Sequence, residues 1–233
     1  MSEQSFEIRY KQTAIKVISD KKNRQKILDE LARQYTLLEG YIQKNPSFLT
    51  SYEPVKAEKD TPHIAKIMCD ASEITGVGPM ASVAGAFSDV LGEYILSLGA
   101  KEAIVENGGD IFLKTRTEKI IGVHAGPSKF SDKLGLRIRP EETPIGICTS
   151  SDSVGHSISL GKSDAVTVIA DTAVLADAAA SAIGNAATGN DAIEKAVEKA
   201  NTINGIRGAL IIKGEKMGVC GKIPELIKIQ ETK

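Results

Sequence analysis

Ala103-Ile104-Val105-Glu106-Asn107-Gly108-Gly109-Asp110-Ile111-Phe112-Leu113 decides the fold class. Ala103-Ile104-Val105 and Ile111-Phe112-Leu113 read as short apolar strands, and Asn-Gly between two such runs is the strongest local signal for a hairpin. On the N-terminal side the pattern is helical. Ile27, Leu31, Tyr35, Leu38 and Ile42 recur at helical spacing, as do Ile64, Ile67, Met68, Ala71 and Ile74, then Val83, Phe87, Leu91, Tyr94 and Leu98. Thr61-Pro62 reads as a cap followed by Pro at the first helical position, and Gly76 and Gly99 as helix stops. Pro46 to Asp60 is polar without a clear period and reads as a loop or short irregular connection. Phe6 to Ile18 alternates apolar and polar residues, the signature of a half-buried strand or hairpin.

Past the hairpin, strands dominate: Ile120–His124, Leu134–Ile138, Ile145–Cys148 and Val166–Ile169. An Ala-rich helix follows over Thr172 to Ala187, a shorter one begins at Asn190, and Ala209–Ile212 with Met217–Cys220 forms a closing hairpin before a last strand at Leu226–Ile229. Helices cluster early and strands in the middle, without strict strand–helix–strand alternation. The expected class is α+β, a single domain over residues 1–233 with a mixed or antiparallel central sheet flanked by helices. Gly76-Val77-Gly78-Pro79-Met80-Ala81 matches a dinucleotide-binding glycine pattern, but that chemistry needs a strand just before it. Here a helical stripe precedes it, so a helix stop and a tight turn explain the glycines better.

The chain has 233 residues, with 29 Lys and Arg against 30 Asp and Glu, a net charge of −1. That balance removes the electrostatic footprint of a nucleic-acid binder, and 4% aromatics with no Trp leave few platforms for stacking bases. No apolar run approaches the ~20 residues that cross a bilayer. The N-terminus lacks a basic patch and an apolar core, so it is not read as a secretory signal. A soluble, cytoplasmic protein is expected, with Cys69, Cys148 and Cys220 as reduced, mostly buried thiols and no zinc-type spacing among them.

Three stretches carry candidate chemistry. Asn107, Gly108, Gly109 and Asp110 form a turn whose bare N–H groups could hold an anion. Thr149, Ser150 and Ser151 follow a strand, with His156 close behind; hydroxyls there suit phosphate or carbonyl oxygens, and an imidazole could move a proton. No GxSxG elbow is present, which argues against a nucleophilic serine. Asp177 and Ser181, four apart, share one helix face and could give Mg2+ two oxygen ligands. The plainer reading of that pair is a solvent-facing Asp and Ser on a packing helix.

Taken in order, these pieces resemble the ApbE-type proteins, FAD:protein FMN transferases, and above all a shorter branch of that superfamily from archaea and some bacteria. The resemblance rests on Ser82-Val83-Ala84-Gly85-Ala86-Phe87-Ser88-Asp89, Glu106 to Ile111, Thr149-Ser150-Ser151, His156, Val166 to Ala170, and Ala176-Asp177 with Ser181. It implies an FAD cleft at Asn107, Gly108, Gly109, Asp110, Thr149, Ser150 and Ser151. It also implies Mg2+ on Asp177, Ser181 and a backbone carbonyl near Val83, and a histidine by the pyrophosphate at His156. The partners implied are a flavin or nucleotide and an acceptor protein, with no nucleic acid and no membrane. The family's Ala-Lys-Gly is Val83-Ala84-Gly85 here, and its His-x-x-Asp-Pro-x-Thr-Gly stretch is replaced from His156 to Lys162. Two functions therefore follow: Mg2+-assisted FMN transfer, or retention of a flavin- or nucleotide-like ligand without turnover.

Overall fold

The computed structural model describes residues 3–150 and 163–229. The alternating N-terminus forms a hairpin of β1 (Gln4–Tyr10) and β2 (Thr13–Ser19). Three helices follow, α1 (Arg24–Lys44), α2 (Pro46–Thr50) and α3 (His63–Thr75). A 3-10 turn at Pro79–Ser82 leads into α4 (Val83–Ser97). Strands β3 (Ala103–Asn107) and β4 (Asp110–Lys114) form the expected hairpin. Next come β5 (Lys119–Val123), β6 (Leu134–Ile138), β7 (Ile145–Ser150) and β8 (Ala165–Ala170). The chain closes with α5 (Ala173–Ala186), α6 (Ala192–Thr202), β9 (Ile206–Lys213), β10 (Lys216–Gly221) and β11 (Glu225–Lys228).

Eight strands form one sheet in the order β1-β2-β3-β4-β7-β8-β9-β10, and every neighbouring pair is antiparallel. The sheet is thus antiparallel rather than mixed, with the N-terminal hairpin at one edge and the β9–β10 hairpin at the other. A second sheet, β11-β6-β5, has three strands. Period-2 alternation sorts the large sheet into two faces. Val105, Phe112, Cys148, Val168 and Ile211 pack with the helices, whereas Ile104, Ile111, Ile147, Ile169 and Leu210 pack with Val123, Leu136 and Ile138 of the small sheet.

Two local expectations are corrected. Residues 46–60 are not wholly loop, because Pro46–Thr50 makes one helical turn that buries Phe48 against Tyr41 at 5.2 Å between rings. Thr61 does not cap α3. Its hydroxyl instead accepts from the Glu58 N–H at 2.8 Å, Pro62 keeps an extended ψ of 147°, and the helix begins at His63. Gly76 does stop that helix, in the left-handed region at φ 80°. No single helix among the described residues is long and apolar enough to cross a membrane.

Candidate functional site: an acid cluster at a helix–helix crossing

Helices α4 and α5 lie antiparallel, and three rungs spaced four residues apart hold them together. Ser181 Oγ donates to the Ala81 carbonyl at 3.4 Å, Asp177 Oδ2 accepts from the Gly85 N–H at 3.0 Å, and Asp89 accepts from the N–H groups of Ala173 and Val174 at 2.9 and 2.8 Å. Each helix N-terminus therefore receives a carboxylate from the other helix. Those first amides have no partner within their own helix, and their positive end favours an anion. The Thr172 hydroxyl takes a further amide of α5, that of Leu175, at 3.4 Å. The approach needs small residues at the crossing. A Cβ on Gly85 would lie 2.4 Å from the Ala173 carbonyl oxygen and 2.9 Å from Asp177 Cβ.

The hairpin tip joins this crossing. Gly108 and Gly109 have φ of 65° and 104°, the positive values that a tight two-residue turn between paired strands uses. Asn107 Nδ2 donates to the Ala84 carbonyl at 3.2 Å, and Ser88 Oγ donates to the Asp110 carbonyl at 2.9 Å. The expected open nest of N–H groups is partly filled from within, since the Gly109 N–H donates to Glu106 Oε1 at 3.1 Å.

Register then sets the chemistry. Asp110 pairs with Cys148 across β4 and β7, so both side chains stand on the helix-facing side of the sheet, beneath α5. Asp110, Cys148 and Asp177 each bring a ligand-type atom to within 4.8 Å of the other two, and all three residues are buried. Cys148 Sγ lies 4.0 Å from Asp177 Oδ1. Asp110 Oδ1 is buried with no hydrogen-bond partner. Burial pushes the Asp110 and Asp89 carboxyls up to about 7, against the amide bonds that pull Asp89 down. Burial also drives the Asp177 carboxyl well above its ordinary range, and the Asp110 charge adds to it; the same two causes raise the Cys148 thiol.

The sequence-derived residues separate on this geometry. Asp110 and Asp177 converge, Ser181 sits one turn further along α5, and Asn107 and the two glycines shape the tip. Asp177 is buried at 8% exposure, which overturns the reading of a solvent-facing acid. Thr149 faces the other side of the sheet, where its hydroxyl meets that of Thr167 at 3.0 Å. Ser150, one residue on, returns to the face of Cys148. The carbonyl that meets Ser181 is that of Ala81, in the turn before α4, and Val83 is the first residue of that helix. Ser151 and His156 lie outside the described residues. Two members of the cluster were not singled out as functional from sequence: Cys148, read as a plain buried thiol, and Asp89. The available signal for Asp89 was its place four residues after Gly85, on the buried stripe of an almost wholly apolar helix.

This antiparallel sheet, with a crossed helix pair over one face, is an ApbE-like fold. The ApbE protein of Thermotoga maritima superposes with a TM-score of 0.65 at 16% identity, over 92% of this chain and 96% of its own. The flavin transferase ApbE from Vibrio cholerae gives 0.59 at 16% identity, over 96% and 97%. The family model described as AbpE bacteria matches residues 1–217. The UPF0280 protein of Methanocaldococcus jannaschii is 48% identical over 224 residues, which is 94% of this chain and 91% of the relative. That of Methanococcus maripaludis is 50% identical over 195 residues, 82% and 79% respectively. The chain belongs to this AbpE family.

Proposed function

We propose that the protein is a flavin transferase of the ApbE type, which moves FMN from FAD to a Ser or Thr hydroxyl of an acceptor protein with a divalent cation at the pyrophosphate. The observation that carries this reading is the buried Asp177 carboxylate, held at the N-terminus of α4 and turned toward Asp110 of the Gly-Gly-Asp tip. The Vibrio cholerae neighbour, a flavin transferase, supports it.

In this reaction the acceptor hydroxyl oxygen forms a bond to the FMN phosphorus, the bridging P–O bond breaks, and AMP leaves. The hydroxyl proton passes to a base, for which we assign His156. Asp177, the Ser181 hydroxyl and the Ala81 carbonyl form an oxygen donor set that fits Mg2+. Bound there, Mg2+ would neutralise charge on the pyrophosphate and the departing nucleotide. The protein's own part is positioning. The rungs at Gly85 and Asp89 fix α5 against α4, so Asp177 keeps its aim, and the glycine tip lets a phosphate approach backbone closely.

Ala84, where the resembled family has Lys, supports the second reading, a protein that holds the flavin without turning it over. Incubation with FAD, Mg2+ and candidate acceptor proteins separates the two. AMP release together with fluorescent acceptor establishes transfer. Saturable FAD binding with no AMP establishes retention.

A further inference from the structure

We infer that Asp110, Cys148 and Asp177 form a thiolate-containing centre for a borderline-soft divalent cation of the Zn2+ type, distinct in its ligand set from the all-oxygen Asp177–Ser181–Ala81 group. Three acidic side chains bring ligand atoms to within 4.8 Å of one another in a buried site. Asp110 Oδ1 is enclosed there without a partner, although a buried carboxyl oxygen left unpaired is unfavourable. The ion pairs among the described residues all engage other acids, so no lysine or arginine offsets the cluster. A cation bound between the three supplies what the protein does not.

The donor chemistry selects the ion. Mg2+ prefers hard oxygen ligands in octahedral array, whereas Zn2+ accepts carboxylate and thiolate together, with bonds of about 2.0–2.3 Å. Three protein ligands leave a fourth position open, the arrangement of metal sites that take water or a substrate oxygen. Asp177 is already oriented as such a ligand, because Oδ2 is anchored on the Gly85 N–H and Oδ1 is thereby directed at Cys148. Anchoring the far side of a ligand in this way fixes its orientation.

The inference shares Asp177 with the proposed flavin site but does not depend on flavin transfer. Its test uses metal alone, on the full chain stripped with chelator and kept reduced, with no FAD present. Titration with Co2+ should give a thiolate-to-metal charge-transfer band in the near ultraviolet at one Co2+ per chain. Zn2+ should displace the Co2+, and millimolar Mg2+ should not. The band should vanish in Cys148→Ser and in Cys148→Ala, and persist in a chain with Cys69→Ala and Cys220→Ala, the other two thiols. Absence of the band in the unmodified chain overturns the inference, as does its survival in either Cys148 variant or its loss in the double variant. If both Cys148 variants fail to fold, the unmodified and double-variant spectra decide. FMN transfer can fail with the band intact, or proceed without it, so the two readings stand or fall separately.

Discussion

Gly85→Ala tests the crossing on which the whole site is built. The added methyl would stand 2.4 Å from the Ala173 carbonyl oxygen and 2.7 Å from its carbonyl carbon, both backbone atoms of α5. Ordinary contact needs about 3.5 Å, so the helices must part by about 1 Å. Overpacking of this kind costs about 1–3 kcal/mol. The same shift stretches the 3.0 Å bond from Gly85 N–H to Asp177, and an ordinary hydrogen bond is worth about 0.5–1.5 kcal/mol. These effects share one displacement, so a total near 3 kcal/mol is expected, or about 6–12 °C in Tm for a chain of this size. Gly40→Ala is the matched control. It lies within α1, nothing stands within 4 Å of its added Cβ, and the change should stabilise by about 0.5–1 kcal/mol. Thermal and urea unfolding of the two variants should move in opposite directions. If Gly85→Ala unfolds with the parent, the helices are not held at this spacing and the cluster geometry has no foundation.

Other outcomes follow from the same atoms. Asp89 is raised to about 7 from 3.8, so its contribution to stability is full below about pH 4 and declines as pH rises through 7. Asp89→Asn should therefore gain stability relative to the parent, by about 3 kcal/mol between pH 5 and pH 8, as read by urea midpoints; a constant difference across that range would refute the assignment. Asp177→Asn keeps an oxygen for the Gly85 N–H and replaces a carboxyl whose ionisation burial already disfavours, so the metal-free protein should unfold within about 1 kcal/mol of the parent while losing its cation-induced Tm shift. Ser181→Ala should weaken Mg2+-dependent nucleotide binding less than Asp177→Asn, because a neutral hydroxyl is a poorer ligand than a carboxylate; calorimetric titration ranks the two. Asn107→Ala should detach the hairpin tip from Ala84 at about 1 kcal/mol, with FAD affinity falling alongside if the tip borders the flavin cleft.

Elements were legible in the sequence where a local rule set them. The hairpin at Asn107–Asp110, the left-handed stop at Gly76 and the extent of α5 all follow from turn chemistry and helical period. The one-turn helix Pro46–Thr50 was not, since five residues hold too little of a period to register. Nor was the unused cap at Thr61, whose hydroxyl is captured by Glu58 three residues earlier. The site divides in the same manner. Asp177 and Ser181 are visible as a helical pair, but the choice between solvent and cleft depends on which face α5 buries, and an Ala-rich helix hides that. That the carbonyl facing Ser181 is Ala81's depends on the 3-10 turn at Pro79–Ser82, whose four residues hold too little pattern to read. Cys148 was unreadable because its meaning comes from pairing with Asp110 across strands that are 38 positions apart in the chain's numbering.

The crossing also shows which acids are structural and which remain chemically available. Asp89 has both oxygens engaged by the first two amides of α5, so it accounts fully for its own burial as a cap. Asp177 is half accounted for, with Oδ2 on α4 and Oδ1 turned inward. Asp110 Oδ1 has no partner at all. A helix-capping role therefore explains one acid and half of a second, whereas Asp110 caps no helix and, among the described residues, its carboxyl is met only by the Cys148 thiol. Asp177 alone would be weak ground for a metal, because capping α4 would suffice to keep it. Asp110 is the residue that points to chemistry, placed by strand register beside the Cys148 thiol and the Asp177 oxygen on which that thiol's long 4.0 Å contact ends. Asp110→Asn is then the sharper probe: it leaves both helix caps untouched, so it should abolish cation binding while the pH dependence owed to Asp89 survives. Loss of that pH dependence together with cation binding would mean that the acids form one structural network, with no separable metal-binding part.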